Sequence, residues 1–330
     1  MASAPVHSIL ETAPFAGGSC YLKRGCRCEG QRPGDSEPCL CQAGSRKKDC
    51  GFFLARANFP PPNNRTMTIT DHEFTDLPTP TGPMRTHVFR PVAEGRHPGI
   101  LLYSEIFQVT GPVRRTAALL AGHGFLVAVP EIYHEHETPG TVLAYDTAGA
   151  DRGNALKTTK PLDAYDADAR AALDFLRTHP ASTGRLGCMG ICIGGHLAFR
   201  AAMNPGVLAT TCFYATDIHK RGLGAGMHDN TLDRIPEITG ELLMIWGRQD
   251  PHVPLEGRVK IHAALEAAGA FFQWHEVNGA HAFLRDEGPR YNPVLAQQCY
   301  GLALEMYQRR LGEGDVMAAR PTGGAGETRH

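Results

Sequence analysis

Three side chains in this chain are of the types that together perform nucleophilic catalysis: the thiol of Cys192, the carboxylate of Asp250 and the imidazole of His281. Cys192 lies in residues 190–195 (GICIGG), where an apolar segment gives way to a helical pattern. Glycines on both sides allow a sharp turn that projects the cysteine beside a helix N-terminus. Such a terminus favours the thiolate, which is the nucleophilic form of cysteine. The motif predicts a reactive thiol, and a buried structural cysteine is the alternative interpretation.

Asp250 and His281 each follow a short apolar run that predicts a β-strand. Asp250 lies in residues 246–251 (WGRQDP), and His281 lies in residues 278–283 (NGAHAF). In open α/β sheets, catalytic residues are carried by the loops at the carboxyl ends of the strands. The chain order of nucleophile, acid and histidine is that of α/β-hydrolases, in which the acid orients the imidazole and the imidazole withdraws the proton of the nucleophile. Order and placement together predict a catalytic triad.

Three other residues compete for the roles of acid and base. Asp217 also follows a predicted strand and competes with Asp250, while His252 and His275 compete with His281. His275 lies inside a strand pattern and His252 comes too early in the chain, so His281 is preferred as the base. Taken singly, Asp250 fits a turn residue and His281 fits an ordinary loop histidine, and both interpretations stay open at this point.

The rest of the chain predicts the elements that must position these residues. Helical patterns occupy residues 113–122 and 163–179 and begin again near residue 196. Strands are predicted at residues 84–90, 98–104, 125–130, 185–189, 208–214, 241–246 and 271–277. This alternation is typical of a mostly parallel sheet covered by helices on both faces, the α/β-hydrolase architecture.

The amino-terminal part differs in composition from this pattern. Residues 1–66 are rich in Gly, Arg and Pro and hold six of the ten cysteines, namely Cys20, Cys26, Cys28, Cys39, Cys41 and Cys50. Their Cys-x-Cys spacing, with no histidine among them, does not fit a common zinc site, and no core pattern is present. We predict a disordered extension, or sequence upstream of a native start at Met67. The folded domain is expected at 67–312, with a flexible tail at 313–330.

Composition limits the classes of partner. The chain has 33 Lys and Arg against 34 Asp and Glu, which leaves a net charge of -1 and gives no reason to expect a nucleic acid or an anionic membrane as partner. A small-molecule substrate is expected instead. No signal-peptide pattern or run of ~20 apolar residues is present, so we expect a cytoplasmic protein. We further expect a monomer, with a dimer as the alternative.

The segment His134, Glu135 and His136 is the one other pattern that could bind a metal. A single His-x-His pair in a polar loop lacks a convincing third ligand, so we predict no metal site here. The chemistry predicted for the triad needs neither a metal nor an organic cofactor.

Several of these motifs resemble the dienelactone hydrolase family, which comprises cysteine-dependent α/β-hydrolases that open enol-lactones. The resemblance covers about residues 67–312. Residues 190–195 are similar to the family's Gly-x-Cys-x-Gly-Gly elbow, and residues 246–254 and 281–283 are similar to its acid and histidine loops. Residues 105–107 (EIF) match the Glu-Ile-Phe that family members place beside the cysteine. Residues 130–133 (PEIY) resemble a Pro-Asp-Leu-Tyr segment.

The resemblance implies a role for Glu105, since in the family this carboxylate contacts the resting cysteine and helps to convert it to the thiolate. An ionised carboxylate opposes formation of a neighbouring thiolate, so substrate binding would activate Cys192 by displacing or protonating Glu105. The oxyanion hole is expected to consist of the backbone N–H groups of Ile193 and Ile106. Gln108 replaces the family's glycine after Glu-Ile-Phe.

The resemblance also implies that arginines bind a carboxylate on the substrate. Arg285, four residues after His281, matches the family position, and Arg152, in a predicted loop before the helix at 163–179, is the second candidate. The predicted activity is hydrolysis of a lactone or carboxylic ester through a thioester on Cys192. The alternatives are a general carboxylesterase or thioesterase on the same triad, and a protein whose thiol senses oxidants without turnover.

Overall fold

The computed structural model describes residues 68–312, so the predictions for residues 1–66, for a start at Met67 and for the tail at 313–330 lie outside the described residues. The strands are β1 (Ile69–Thr79), β2 (Gly82–Pro91), β3 (His97–Tyr103), β4 (Leu126–Pro130), β5 (Ser182–Ile191), β6 (Val207–Phe213), β7 (Glu241–Gly247) and β8 (Phe272–Val277). The α-helices are α1 (Gly111–Gly122), α2 (Thr147–Thr159), α3 (Leu162–Thr178), α4 (Ile193–Ala201), α5 (Leu255–Ala267) and α6 (Pro293–Leu311). Two 3₁₀ helices occupy Ile218–Lys220 and Leu232–Glu237.

The eight strands form one sheet in the order β1-β2-β4-β3-β5-β6-β7-β8. β1 pairs with β2, and β2 with β4, in antiparallel register, whereas every pairing from β4 through β8 is parallel. All residues of β4 and β7 are buried, which requires cover on both faces of the sheet. The predicted fold class, a mostly parallel sheet covered by helices, is confirmed.

The burial of each strand follows its sequence. β7 (ELLMIWG) is a continuous apolar run after its first residue, as expected for a central parallel strand. β1, at the edge of the sheet, alternates polar and less polar residues and has one buried residue, Leu77. No helix in the described part of the chain is long and apolar enough to cross a bilayer.

Helix α2 is the main element that the sequence analysis missed, and the loop position predicted for Arg152 is wrong. The residue lies within α2, which begins after Asp146, whose carboxylate accepts a hydrogen bond from the Gly149 N–H at 2.8 Å. Only Gly149, Gly153 and Leu156 of this helix are buried. An amphipathic pattern needs a wider apolar stripe, so its periodicity was too weak to predict a helix.

The parallel strands all point their carboxyl ends toward the same edge of the sheet. The residues that follow β3, β5, β7 and β8 include Glu105, Cys192, Asp250 and His281 respectively. Four sequence-distant segments therefore meet at this edge.

Candidate active site

Cys192 is the single residue between β5 and α4 and has φ 62° and ψ −122°. Residues other than glycine rarely adopt this backbone conformation, so the surrounding structure must stabilise it. The Cys192 N–H donates to the carbonyl of Phe213 at 3.0 Å, and its own carbonyl accepts from the N–H groups of Gly195 at 3.0 Å and Thr216 at 3.2 Å. The turn therefore presents the thiol in one orientation at the start of a helix.

The structure brings the three residues of the predicted triad together. His281 Nε2 lies 3.2 Å from Cys192 Sγ, and His281 Nδ1 lies 2.7 Å from Asp250 Oδ2. All three residues are buried. The second carboxylate oxygen of Asp250 accepts a hydrogen bond from the His252 N–H at 2.8 Å, which orients the carboxylate toward the imidazole. This is the geometry of a nucleophile, a base and a group that orients the base.

The charges in this relay support one another. Burial alone disfavours the imidazolium, but the charge of Cys192 and the hydrogen bond with Asp250 outweigh it and raise the pKa of His281 to about 10. Burial also opposes ionisation of Asp250, yet the hydrogen bond from His281 and the charge of that ring hold the pKa of Asp250 below its ordinary value. The site therefore favours an imidazolium at His281 beside an ionised carboxylate at Asp250.

The competing residues have other contacts. Asp217 Oδ2 lies 2.7 Å from the ammonium of Lys157. The ring of His252 packs edge-on against the ring of His281, with their centroids 4.5 Å apart, but no hydrogen bond joins His252 to Cys192 among the described residues. His275 lies within β8.

Glu105 is the second residue after β3 and is buried. Its Oε2 accepts a hydrogen bond from the Tyr145 hydroxyl at 3.4 Å and lies 3.7 Å from Nη1 of Arg285. Burial raises the pKa of Glu105, and the positive charges of Arg285 and His281 act against that increase. Within residues 68–312, no hydrogen bond joins Glu105 to Cys192, although both residues line the same cavity.

The two predicted oxyanion donors lie on adjacent segments of backbone. Ile193 is the first residue of α4, where N–H groups have no intrahelical acceptor. Ile106 lies in the turn after β3 and lines the same cavity as Cys192. The two segments lie very close together: a β-carbon on Gly194 would be 2.4 Å from the carbonyl oxygen of Ser104. Glycine thus lets α4 begin against the end of β3.

Cys192 opens into a cavity of about 470 Å³. One face of α2 forms part of its wall, through Thr147, Ala150, Asn154 and Lys157. The cavity is large enough for a small organic molecule.

The two predicted carboxylate-binding arginines have different surroundings. The guanidinium of Arg285 lines the cavity, is largely buried and lies 4.2 Å from the centroid of the Tyr145 ring. Arg152 does not line the cavity. Its side chain is 51% exposed, and its Nε lies 2.7 Å from Oε1 of Glu137. The geometry therefore supports Arg285 and does not support Arg152 as a substrate ligand.

The polar segment at 134–136 contributes to a different cluster from the one considered in the sequence. Potential ligand atoms of His134, Glu135 and Asp168 lie within 4.8 Å of one another, whereas His136 is exposed. The fully buried ammonium of Lys160 lies among them, 2.7 Å from Glu135 and in contact with Asp168. The cluster thus has a lysine cation as its charge partner.

A model of the Dienelactone hydrolase family matches residues 84–311. This chain belongs to that family. A Saccharomyces cerevisiae protein named "Putative carboxymethylenebutenolidase" is 42% identical over 257 residues, 74% of this chain and 93% of its own length. The carboxymethylenebutenolidase of Pseudomonas putida is 29% identical over 201 residues, 60% of this chain and 80% of its own.

A solved structure agrees with the fold of this dienelactone hydrolase family member. A protein from Klebsiella pneumoniae subsp. pneumoniae, described as a "Putative Dienelactone Hydrolase", superposes with a TM-score of 0.65 at 23% identity. The match covers 73% of this chain and 99% of that one. Together with the mostly parallel sheet, this establishes the α/β-hydrolase fold.

Sequence reasoning missed several residues that line the cavity of this dienelactone hydrolase family member. The missed side chains include Tyr145, Lys157 and Arg290, and His252 was considered only as a competing base. Tyr145 lies just before α2 and Lys157 lies within it, so a prediction of that helix could have indicated both residues. Arg290 lies nine residues after His281 in an irregular segment, and its sequence neighbours carry no motif.

Replacing His281 with Gln is expected to slow alkylation of Cys192 by iodoacetamide at neutral pH by about 10-fold or more, because the imidazolium that stabilises the thiolate is lost. In the wild-type protein the pKa of His281 is raised, so the imidazolium persists above neutral pH. The alkylation rate of the wild-type protein should therefore change little with pH just above neutral. In the variant the rate should increase through the alkaline range in which free thiols ionise. Alkylation rates measured against pH test this, with His262→Gln on α5 as control. Equal rates at neutral pH in wild type and His281→Gln would contradict the ion pair.

Proposed function

We propose that this protein hydrolyses a lactone or carboxylic ester through a thioester acyl-enzyme on Cys192. The observation that carries the proposal is the relay from Cys192 through His281 to Asp250, with distances of 3.2 Å and 2.7 Å, at the wall of a cavity of about 470 Å³. The names of the relatives, carboxymethylenebutenolidases, favour a lactone as the substrate.

Acylation follows from the placement of the groups around the thiol. The Cys192 thiolate attacks the carbonyl carbon, and the resulting oxyanion accepts hydrogen bonds from the N–H groups of Ile193 and Ile106. The carbon–oxygen bond of the ester then breaks, leaving an acyl group on sulfur and an oxygen anion as the leaving group. His281 is positioned to give its proton to that oxygen.

Deacylation uses the same groups in the opposite sense. Neutral His281, oriented by Asp250, accepts a proton from a water molecule that attacks the thioester carbonyl, and the thiolate leaves. When the substrate is an enol-lactone, the leaving enolate stays attached to the acyl chain. If it leaves without taking the proton of His281, the enolate itself can accept the proton of the attacking water. The products are a carboxylic acid, which releases its proton to solvent and becomes a carboxylate, and the regenerated thiolate–imidazolium pair.

The side chains around the cavity favour a substrate that carries a carboxylate. Arg285 presents a guanidinium to the cavity, and its nearest anion, Glu105, has a raised pKa and is therefore easily neutralised. Bidentate binding of a substrate carboxylate by Arg285 would compete with Glu105 for the same cation. Substrate binding would then change the environment of Glu105 close to the thiol.

The decisive test compares a dienelactone with a neutral activated ester of similar size, with rapid quenching and intact-mass measurement of the protein. A faster reaction with the lactone and a transient acyl mass on Cys192 would support the proposal. Equal rates with the same adduct would indicate a general carboxylesterase or thioesterase. A thiol that is oxidised readily but turns over neither substrate would favour the redox-sensing alternative. We also propose a cytoplasmic location and a monomeric state, with a dimer as the alternative.

Replacing Arg285 with Ala is expected to raise KM for the carboxylate-bearing lactone by about 10-fold or more, because a charge-assisted, bidentate contact is lost. KM for the neutral ester should stay nearly constant. Arg152→Ala is the matched comparison, since its side chain pairs with Glu137 outside the cavity and KM for the lactone should not change. Steady-state measurement of KM for both substrates in each variant tests this prediction. An equal increase in KM for both substrates would argue against carboxylate recognition by Arg285.

A further inference from the structure

Gln108, in the turn after β3, is a buried residue with φ 68°. Residues other than glycine rarely adopt a positive φ, and they do so where surrounding contacts stabilise the conformation. At Gln108 those contacts are made by its own side chain. Its Oε1 accepts a hydrogen bond from the Tyr133 N–H at 3.3 Å, and its Nε2 donates to the carbonyl of Thr141 at 3.3 Å. The side chain thus connects the turn after β3 to the segment after β4.

The backbone of Gln108 determines the orientation of a neighbouring peptide group. Its N–H donates to the carbonyl oxygen of Glu105 at 3.2 Å. That carbonyl belongs to the same peptide group as the N–H of Ile106, and the described chain has no cis peptide bonds. In a trans peptide the C=O and N–H point in opposite directions. The hydrogen bond from Gln108 to Glu105 therefore directs the Ile106 N–H away from the turn.

The same turn is also supported by α2. A β-carbon on Gly153 would lie 2.5 Å from the carbonyl oxygen of Ile106, so the helix backbone is packed directly against the peptide group that follows Ile106. The hydroxyl of Tyr133 donates to the carbonyl of Gly153 at 3.2 Å. A chain of contacts therefore runs from Gln108 through Tyr133 and Gly153 to Ile106, which lies two residues before Gln108 in the same turn.

We propose that Gln108 is a positioning residue that holds the Ile106 N–H in the orientation required to bind the oxyanion, an inference that rests on the proposed hydrolysis. The residue does not line the cavity and does not contact the thiol. Its effect acts through Ile106, whose N–H matters most when negative charge develops on the substrate oxygen. Loss of the connection should therefore lower kcat and leave KM nearly unchanged.

Two substitutions separate the backbone conformation from the side-chain contacts. Gln108→Gly tolerates the positive φ but loses both side-chain hydrogen bonds, whereas Gln108→Ala loses the hydrogen bonds and keeps a β-carbon that disfavours this φ. We expect kcat for the neutral ester to fall about 10- to 100-fold, with Ala at least as impaired as Gly. Tyr133→Phe removes only the contact with Gly153 and should show a smaller decrease in kcat.

Alkylation of Cys192 by iodoacetamide is the second measurement, because that reaction develops no oxyanion at a carbonyl and should proceed at the wild-type rate in each variant. Met227→Gly, at an exposed residue with φ 51°, controls for changes at a positive φ, and Gln273→Ala controls for loss of a glutamine contact, here with Glu241. Both controls should keep wild-type kcat.

Two results would overturn the inference about Gln108 while leaving the proposed function intact. One is wild-type kcat in both Gln108→Gly and Gln108→Ala. The other is a parallel loss of alkylation and hydrolysis, which would mean that the substitution disturbs the thiol rather than the oxyanion turn. If the wild-type protein hydrolyses neither substrate, the proposed function and this inference fail together.

Discussion

Replacement of Cys192 with Ala is expected to lower kcat for the lactone by about 10⁴-fold or more, because removal of a nucleophile abolishes the acyl-enzyme pathway. The remaining cavity would retain only the oxyanion donors and the substrate contacts, which supply limited catalysis without a nucleophile. Steady-state hydrolysis, with intact-mass measurement after quenching, tests the prediction. No acyl adduct should form on the variant.

Two further variants make this test specific. Cys192→Ser keeps a hydrogen-bonding group of similar shape next to His281, but a hydroxyl is far less ionised than a thiol beside the same imidazole, so its activity should lie well below wild type. Cys299→Ala replaces a buried cysteine on α6 and should leave kcat nearly unchanged. Wild-type esterase activity in Cys192→Ala would remove the central element of the proposed mechanism.

Much of the sheet could be predicted from the sequence because its central strands are continuous apolar runs. Residues 241–246 and 208–214 are examples, and the observed β7 and β6 differ from them by one residue at the ends. Parallel strands bring their carboxyl ends to one edge, so placing a residue after a strand also places it near residues after other strands. This is why Cys192, Asp250 and His281 could be grouped although 89 residues separate the first from the last.

The walls of the site were less predictable, because they depend on polar and irregular segments. Helix α2 presents few buried apolar residues, so hydrophobic periodicity did not reveal it. Several residues other than glycine have positive φ at the ends of strands or in the loops that follow, where turn chemistry would have suggested glycine. They include Gln108, Cys192, Tyr214, Asp217 and Ala282. Long-range contacts, which sequence patterns do not report, stabilise such residues.

Gly190→Ala is expected to lower the free energy of unfolding by about 3 kcal/mol, because it introduces a clash that no side-chain rotation can relieve. A β-carbon at Gly190 would lie 1.8 Å from the carbonyl oxygen of Gly194, which is backbone in the first turn of α4. Relief therefore requires the end of β5 and the start of α4 to move apart. Urea unfolding followed by circular dichroism measures the effect.

Gly301→Ala is the matched control, since this exposed glycine lies inside α6 and a β-carbon there would meet nothing within 4 Å beyond the adjacent backbone of its own helix. Alanine costs less conformational entropy than glycine in a helix, so this variant should be more stable than wild type by about 0.5–1 kcal/mol. Opposite signs for the same substitution would show that the close approach at Gly190, rather than loss of a glycine, is responsible. Because the displaced turn carries both Cys192 and the Ile193 N–H, folded Gly190→Ala protein should also have lower kcat than Gly301→Ala. Wild-type stability in Gly190→Ala would mean that β5 and α4 do not need this close approach to position the thiol.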